Sequence, residues 1–434
     1  MVKDRAGGVL DRLRVEFDDE RAVANAGLLL PATLAGRLGL EQLVDETVDL
    51  GGRPGAARPG RKVLTLCHAM LLGADSIDDC DVVRSGRTAL VLGHGVLAPS
   101  TLGTFLRSFT FGHVRQLDRV LAEALRRAWA AGAGPGDGRL VIDVDSFVGE
   151  VHGYRKQGAA YGYTHELGYH PLLATRAGSD EVLHVRLRKG SANTQRGGER
   201  FVDELVARVR RAGAAGEILV RADSGFQNKK ITARLRAKGC LYSIGVRITK
   251  PVAQAIEQLD ESAWRTLADY PDTGEAEIAE TTLGAERLIV RRVRTLDDQQ
   301  QLFATWQHFA FITNRTEPLE LVEREHRAHA VVELVIRDLK DQALAHFPSG
   351  RFNANAAWTV IACLAHNLHR WAELIGLPAQ PPRRARTIRR RLLALPGRLT
   401  RSARRTILHL PSRWPWQADF LAALARIRAL PAPG

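Results

Sequence analysis

The hydrophobic pattern between residues 140 and 249 changes period in an order that few folds can accommodate. Three alternating segments come first, in LVIDVDSFVGEV, LGYHPLLATRA and EVLHVRLRKG, and such alternation predicts strands with short connections. An amphipathic helix (GERFVDELVARVRRAGAAG), a β-branched strand (EILVRADSGF), a second helix (NKKITARLRAKG) and a last strand (CLYSIGVRI) follow. This succession predicts an α+β core built on a mixed sheet.

That order is the one found in ribonuclease-H-like sheets, in which the first strand is central. Its sequence VIDVDS places Asp143 and Asp145 on the same face, because side chains alternate along a strand. Two carboxylates on a central strand are costly unless a cation or hydrogen bonds compensate them. A further carboxylate, Asp223, follows a buried strand in LVRADSGF, where functional groups of α/β sheets often lie. A turn or capping role is the alternative for each Asp taken alone.

The segment from His326 to Lys340, HRAHAVVELVIRDLK, contains no Gly or Pro and is predicted to form one helix. At about 100° per residue, four polar side chains fall within an arc of roughly 60°. They are His326, His329, Glu333 and Lys340. Apolar side chains cluster on a different flank, so the helix can pack on a core while this stripe stays accessible. A solvated surface face is the alternative interpretation.

Asp145, Asp223 and Glu333 can converge in this topology, and three carboxylates suit hard divalent cations such as Mg²⁺. Together they resemble the DDE triad of bacterial insertion-sequence transposases. The helix is similar to the signature of those enzymes, which is Tyr, two residues, Arg, three residues, Glu, six residues, Lys. The spacing is kept, but His326 and His329 replace the Tyr and the Arg. With GYHPLL, RADSGF and GRFNANAAW included, the sequence most resembles the thirteen-eighty insertion-sequence family.

The resemblance spans roughly residues 140–371 and implies a transposase that cuts DNA at transposon ends and joins those ends to target DNA. The implied catalytic residues and metal ligands are Asp145, Asp223 and Glu333. Asp143 is the alternative first carboxylate, although the Asp-Ser pairing of the family favours Asp145. Two Mg²⁺ ions are expected per site, with Mn²⁺ able to substitute. The implied partners are terminal inverted repeats, target DNA and, on paired DNA ends, a second copy of the chain.

The same resemblance assigns DNA contacts to the polar stripe. The expected DNA-binding residues there are His326, His329 and Lys340. Lys340 should hold a phosphate near the cut, since it lies two turns beyond Glu333. An Arg substituted for His329 is expected to be tolerated, because Arg is the family residue at that position.

The chain divides into five parts around the predicted core. They are a helical N-terminal DNA-binding region at 1–135, the first part of the catalytic core at 136–249, an inserted β-rich subdomain at 250–324, core helices at 325–373 and a basic C-terminal region at 374–434. A basic loop at 51–62 makes the N-terminal region the candidate for reading the end sequence. The C-terminal region could form a hairpin or helices.

The positive charge is concentrated near the C-terminus. The formal net charge is +14, and residues 374–418 supply +11 through eleven Arg with no Lys, Asp or Glu. Guanidinium groups bind phosphate bidentately, so this segment is predicted to contact DNA. The arginines expected to do so are Arg383, Arg384, Arg389, Arg390, Arg391, Arg404 and Arg405. A solubility feature or an anionic-membrane patch is the alternative.

Other features narrow the class of protein. Four scattered cysteines argue against a disulfide framework or a structural zinc site, and the sequence has neither a signal peptide nor a membrane span, so a cytoplasmic, nucleoid-associated protein is expected. The acidic run at 75–81 is best explained as helix capping. HELGYH lacks the zincin spacing, and no GxxxxGK[ST] motif is present. Two alternatives remain: a structure-specific nuclease of the same fold, and a non-catalytic DNA-binding repressor or decayed transposase.

Overall fold

The computed structural model describes residues 10, 13–153, 155–162, 165–193, 195–268, 270, 274–295, 306–403 and 405–432. The N-terminal region is helical, as predicted, after one short strand. Its elements are β1 (Ala22–Val23), α1 (Leu29–Arg37), α2 (Leu40–Thr47), α3 (Pro59–Leu71), α4 (Asp81–Arg84), α5 (Thr88–Leu92), α6 (Pro99–Arg107) and α7 (Phe111–Ala128). In the acidic run, Asp79 accepts hydrogen bonds from the backbone N–H groups of Asp75 and Ser76, so it caps a turn as expected.

The catalytic half of the chain forms the predicted mixed sheet. Its elements are β2 (Leu140–Ser146), β3 (Gly149–Glu150), β4 (Ala160–Tyr161), β5 (Leu167–Tyr169), β6 (Leu172–Arg176), β7 (Val182–Arg186), α8 (Gly198–Ala212), β8 (Ile218–Ala222), α9 (Lys229–Ala237) and β9 (Leu241–Val246). The strand order is β9-β8-β2-β6-β7. β2 pairs antiparallel with β6 and parallel with β8, and β8 pairs parallel with β9. This confirms the ribonuclease-H-like prediction and places β2 at the centre.

The β-rich segment that follows extends this sheet. Its elements are α10 (Lys250–Glu257), β10 (Arg265–Thr266), β11 (Gly274–Leu283), β12 (Glu286–Thr295) and β13 (Gln307–Thr313). β13 pairs antiparallel with β9, with Ala310 opposite Val246, so one sheet of nine strands results. The strands also have a small apolar cluster of their own, which includes Ile278, Ile289 and Phe311. The segment is therefore an extension of the central sheet with a local core.

The helix predicted over His326 to Lys340 is interrupted, which corrects that expectation. The elements are α11 (Leu319–Arg327), a 3₁₀ turn (Ala328–Val331), α12 (Val332–Leu339), a π turn (Lys340–Leu344) and α13 (Phe352–Gly376). A 3₁₀ turn advances fewer residues per turn than an α-helix, so the four polar side chains no longer share one regular stripe. The tighter turn contains His329, whose ring is bonded to the central strand.

The C-terminal region folds back onto the N-terminal helices. Its elements are α14 (Ala385–Ile388), a π turn (Arg389–Leu393), β14 (Gly397–Ser402), β15 (Arg405–His409) and α15 (Gln417–Ala429). β14 and β15 form a hairpin that also pairs with β1. α15 buries Phe420 and Ile427 in the main core. Within the described residues, no helix combines the length and apolar character needed to span a bilayer.

Candidate active site

The two carboxylates of β2 have different surroundings. Asp143 is only 1% exposed, and its two oxygens accept hydrogen bonds from Nε and Nη2 of Arg221 at 2.7 Å each. Nδ1 of His329 lies 2.8 Å from the same carboxylate. Asp145 is partly exposed and accepts one hydrogen bond, from the backbone N–H of Ser146 at 2.6 Å. Asp143 is therefore engaged inside the protein, whereas Asp145 has oxygen lone pairs left for a ligand.

Asp223 lies beside Asp145 because their strands are parallel neighbours. β2 and β8 pair with Val144 opposite Ala222, and each carboxylate is the next residue along its strand. Asp223 caps a 3₁₀ turn by accepting a hydrogen bond from the N–H of Gly225 at 3.1 Å. On the next strand, a Cβ at Gly245 would lie 3.0 Å from the N atom of Ser224, so glycine there lets this turn sit close to β9.

The electrostatics show that three carboxylates influence one another. Burial raises the pKa of Asp145 to about 6, and the like charges of Asp223 and Glu333 raise it further, while the Ser146 N–H and His329 act in the opposite direction. Burial also raises the pKa of Asp223, against the lowering effects of the Gly225 N–H, His329 and Arg247. The site thus concentrates negative charge that a bound cation would relieve.

Glu333 approaches from the helical layer. It lies in the first turn of α12, which packs against β2, and its side chain is exposed. Among the described residues, no three or more His, Cys, Asp or Glu side chains are gathered closely enough to hold a metal ion. The carboxylates therefore share an electrostatic field without closing into a compact cluster.

The other residues of the predicted stripe point in different directions. His326 stacks on Phe311 with 3.9 Å between ring centroids, and its Nδ1 lies 2.8 Å from Oγ of Ser243. Burial lowers the pKa of His326 to about 3, so the ring is neutral. Lys340 is exposed, and its Nζ lies 5.6 Å from the ring centroid of Phe147, directly after β2. Of these two residues, only Lys340 presents a charge beside the end of the central strand.

The arginines expected to bind DNA through the C-terminal region fall into two groups. Arg383 and Arg384 pair with Asp419 and with the buried Asp338, respectively. Arg389 donates to the backbone oxygens of Leu71 and Asp341, and the guanidinium of Arg391 lies 4.9 Å from the Trp416 ring centroid. Arg390 and Arg405 are exposed, and Arg404 lies outside the described residues.

The basic loop at 51–62 is largely tied to the protein. Lys62 is buried and donates to the carbonyl oxygens of Gly55 and Ala57. Arg53 donates to the backbone of the helical region and Arg61 pairs with a glutamate of α2. Among the basic residues of this loop, Arg58 is the one left exposed without such a contact in the described part of the chain.

Sequence reasoning missed Arg221 and the neighbouring Arg247. Arg221 is 4% exposed on a central strand, and a buried guanidinium requires a carboxylate partner. The signal was present: RADSGF puts an Arg on a strand that should be buried, two residues before Asp223. The register that places Arg221 opposite Asp143 is visible only in the folded sheet.

The sheet order and the acidic ends of two neighbouring strands define the chain as a ribonuclease-H-like protein with a carboxylate site. A family model described as "Transposase DDE domain group 1" matches residues 8–432. The chain belongs to that family of DDE transposases. No curated protein gives a significant match. Among solved structures, the chain is similar to the piggyBac transposase in a synaptic complex with hairpin DNA, at 12% identity over 86% of this chain and 80% of that one, with a TM-score of 0.48.

Proposed function

We propose that this DDE transposase cuts DNA at transposon ends and joins those ends to target DNA by metal-dependent phosphoryl transfer. The observation that carries the proposal is the placement of Asp145 and Asp223 at the ends of adjacent parallel strands, with Asp143 removed from competition by Arg221. We assign Asp145, Asp223 and Glu333 as the acidic residues of the site. A bacterial insertion sequence of the thirteen-eighty family is the proposed source.

The donor set fits Mg²⁺, with Mn²⁺ as a substitute. Carboxylate oxygens are the ligands that Mg²⁺ prefers, and it commonly takes one or two of them with water and substrate phosphates completing its shell. This agrees with acidic side chains that influence one another without forming a closed cage. Two such ions, when bound, would supply charge to the attacking and leaving oxygens.

The residues of the chain would then bind and position DNA. Asp145 and Asp223 would hold the cations at the sheet edge, and Glu333 would approach them from α12. Lys340, exposed beside Phe147, would contact a phosphate near the cut. Terminal inverted repeats and target DNA are the proposed partners, and a homodimer on paired ends is the proposed assembly.

Replacing Asp223 by Asn tests the assignment. The amide keeps the shape and can still cap the turn, but it removes the charge that holds a cation. We expect Mg²⁺-dependent cleavage of end-containing DNA to fall more than about 100-fold while end binding survives, since even residues behind metal ligands cost up to that much. Glu333→Gln should behave alike.

Asp260→Asn is the matched control. Asp260 also caps a 3₁₀ turn, by accepting a hydrogen bond from the N–H of Ser262 at 2.8 Å, but it lies far along the chain from the site. This variant should cleave normally. Substantial cleavage by Asp223→Asn would refute the assignment. Cleavage without joining in an assay with paired ends would favour the nuclease alternative, and binding without cleavage by the unaltered chain would favour the repressor or decayed transposase.

A further inference from the structure

His329 has one ring nitrogen engaged and one that is not. Nδ1 lies 2.8 Å from Oδ1 of Asp143. The side chain is 12% exposed, and Nε2 is shielded from solvent with no hydrogen-bond partner among the described residues. A buried polar atom without a partner is costly, and such atoms are uncommon unless they have a function. Nε2 is therefore the candidate for a contact made only with a ligand.

The partner of Nδ1 is held in place by the protein. Asp143 receives two hydrogen bonds from Arg221, and Arg221 also donates to the backbone oxygen of Glu325 in α11. This connects the central strand to the helix that leads into the 3₁₀ turn of His329. An ionised carboxylate only accepts hydrogen bonds, so Nδ1 carries the hydrogen. Nε2 of the neutral ring then presents a lone pair.

The ring lies within electrostatic reach of both strand-end carboxylates. His329 is a cause that lowers the pKa of Asp145 and also that of Asp223. Its bonded edge faces Asp143, which precedes Asp145 by two residues on the same face of β2. The ring therefore stands at the place where a reacting phosphate would meet the acidic site.

We infer that Nε2 of His329 accepts a hydrogen bond from the attacking hydroxyl, a water during cleavage or a DNA 3′-hydroxyl during joining. The inference rests on the proposed function and deepens it. Mg²⁺ favours oxygen ligands, so this nitrogen is poorly suited to hold that metal. A lone pair also repels phosphate oxygens, so Nε2 is unsuited to clamp the DNA backbone. The contact orients the nucleophile and leaves the covalent steps as proposed.

Three substitutions separate this role from a phosphate contact. In His329→Asn the amide can still donate to Asp143 but places nothing at the Nε2 position. In His329→Gln an amide oxygen can occupy that position. In His329→Arg only donors occupy it, as in the related transposases. The measurements are the single-turnover cleavage rate with Mg²⁺, the affinity for end DNA, and the melting temperature of each full-length variant.

We expect the Asn and Arg variants to lose about 100-fold in cleavage rate, the scale of a misplaced reacting group, with end-DNA affinity unchanged. The Gln variant should recover at least about one tenfold step of that loss. This reverses the tolerance for Arg expected from the family signature. If the Arg variant cleaves like the unaltered chain, or the Asn variant loses affinity and keeps its rate, His329 binds phosphate and the inference is wrong.

Asp223→Asn, measured in the same assay, distinguishes the two levels of failure. If it is inactive while all three His329 variants cleave normally, the inference fails and the proposed function stands. If Asp223→Asn cleaves, both fail. Should the Asn variant melt well below the unaltered chain, the comparison of the Arg and Gln variants decides the question, since each keeps a long polar side chain at this position.

Discussion

At the scale of single residues, the site places function against stability at Asp145. Burial and the neighbouring carboxylates raise its pKa to about 6 from an ordinary value of 3.8. A carboxyl whose pKa is raised by folding binds more protons in the folded chain than in the unfolded one between those two values. Stability therefore falls as pH rises through that window, and the penalty is complete above about pH 6. A cation would remove the penalty, which explains why such a residue can persist.

Asp145→Asn should consequently stabilise the metal-free protein while abolishing cleavage. At 1.36 kcal/mol per pKa unit, the gain at pH 7 is at most roughly 3 kcal/mol, and the fall in stability between pH 4 and 6 should be reduced. Denaturant unfolding without divalent metal, at several pH values, measures it. Asp260→Asn should show no gain, because hydrogen bonds to Ser262 lower the pKa of Asp260. An Asp145→Asn variant no more stable than the unaltered chain would mean that the carboxylates are not crowded.

At the scale of elements, the C-terminal region is both structure and surface. α15 contributes to the main core, and α14 begins at an Arg384–Asp338 ion pair. Removing residues 380–434 was a natural way to test DNA binding from the sequence, but in the folded protein it would strip cover from α1 and α13. The exposed arginines of the π turn and the hairpin offer a better test.

We expect the triple variant Arg390→Gln, Arg401→Gln, Arg405→Gln to weaken DNA binding and to flatten its salt dependence. All three side chains are exposed. Each phosphate contact that is lost should change the slope of log affinity against log salt by about 0.9. Arg383→Gln is the control, because Arg383 pairs with Asp419 and should change the slope little. An unchanged slope in the triple variant would place the DNA elsewhere and make chain–chain contacts the better explanation for these arginines.

At the scale of the whole molecule, one buried carboxylate connects the catalytic helix to two other elements. Asp338 of α12 is 1% exposed. Its oxygens accept hydrogen bonds from Arg370 of α13 at 2.8 Å, from Arg384 at 2.6 Å and from the N–H of Ala385 at 3.0 Å. Glu333 lies five residues earlier in the same helix, so this network fixes the helix that carries it.

Asp338→Ala should therefore cost about 3 kcal/mol in the free energy of unfolding, because it leaves the buried Arg370 without its main partner. Arg370 keeps a contact to Glu373 at 3.1 Å, which places the cost at the low end of the usual range. Asp341→Ala is the control: its carboxylate is 44% exposed and lies 4.0 Å from Arg384, so its loss should cost less than about 1 kcal/mol. Equal effects of the two substitutions in denaturant unfolding would contradict the assigned role.

The sequence by itself determined the order of strands and helices, and with it the sheet. Alternation and helical period are local properties, and the order of seven segments allowed few topologies. It also placed Asp145 and Asp223 at strand ends and indicated the family, through the spacing of Glu333 and Lys340. These inferences succeeded because each depends on residues near one another in the chain.

Only the tertiary structure decided which groups are already engaged. Asp143 and Asp145 are equivalent by alternation, and the register of β8 against β2 gives Arg221 to the first of them. The 3₁₀ turn that brings His329 to Asp143, and the return of the C-terminal region onto β1, likewise depend on partners distant in sequence. Ion pairs and register between distant segments follow from packing, because a local pattern specifies the face of a side chain and not its neighbour.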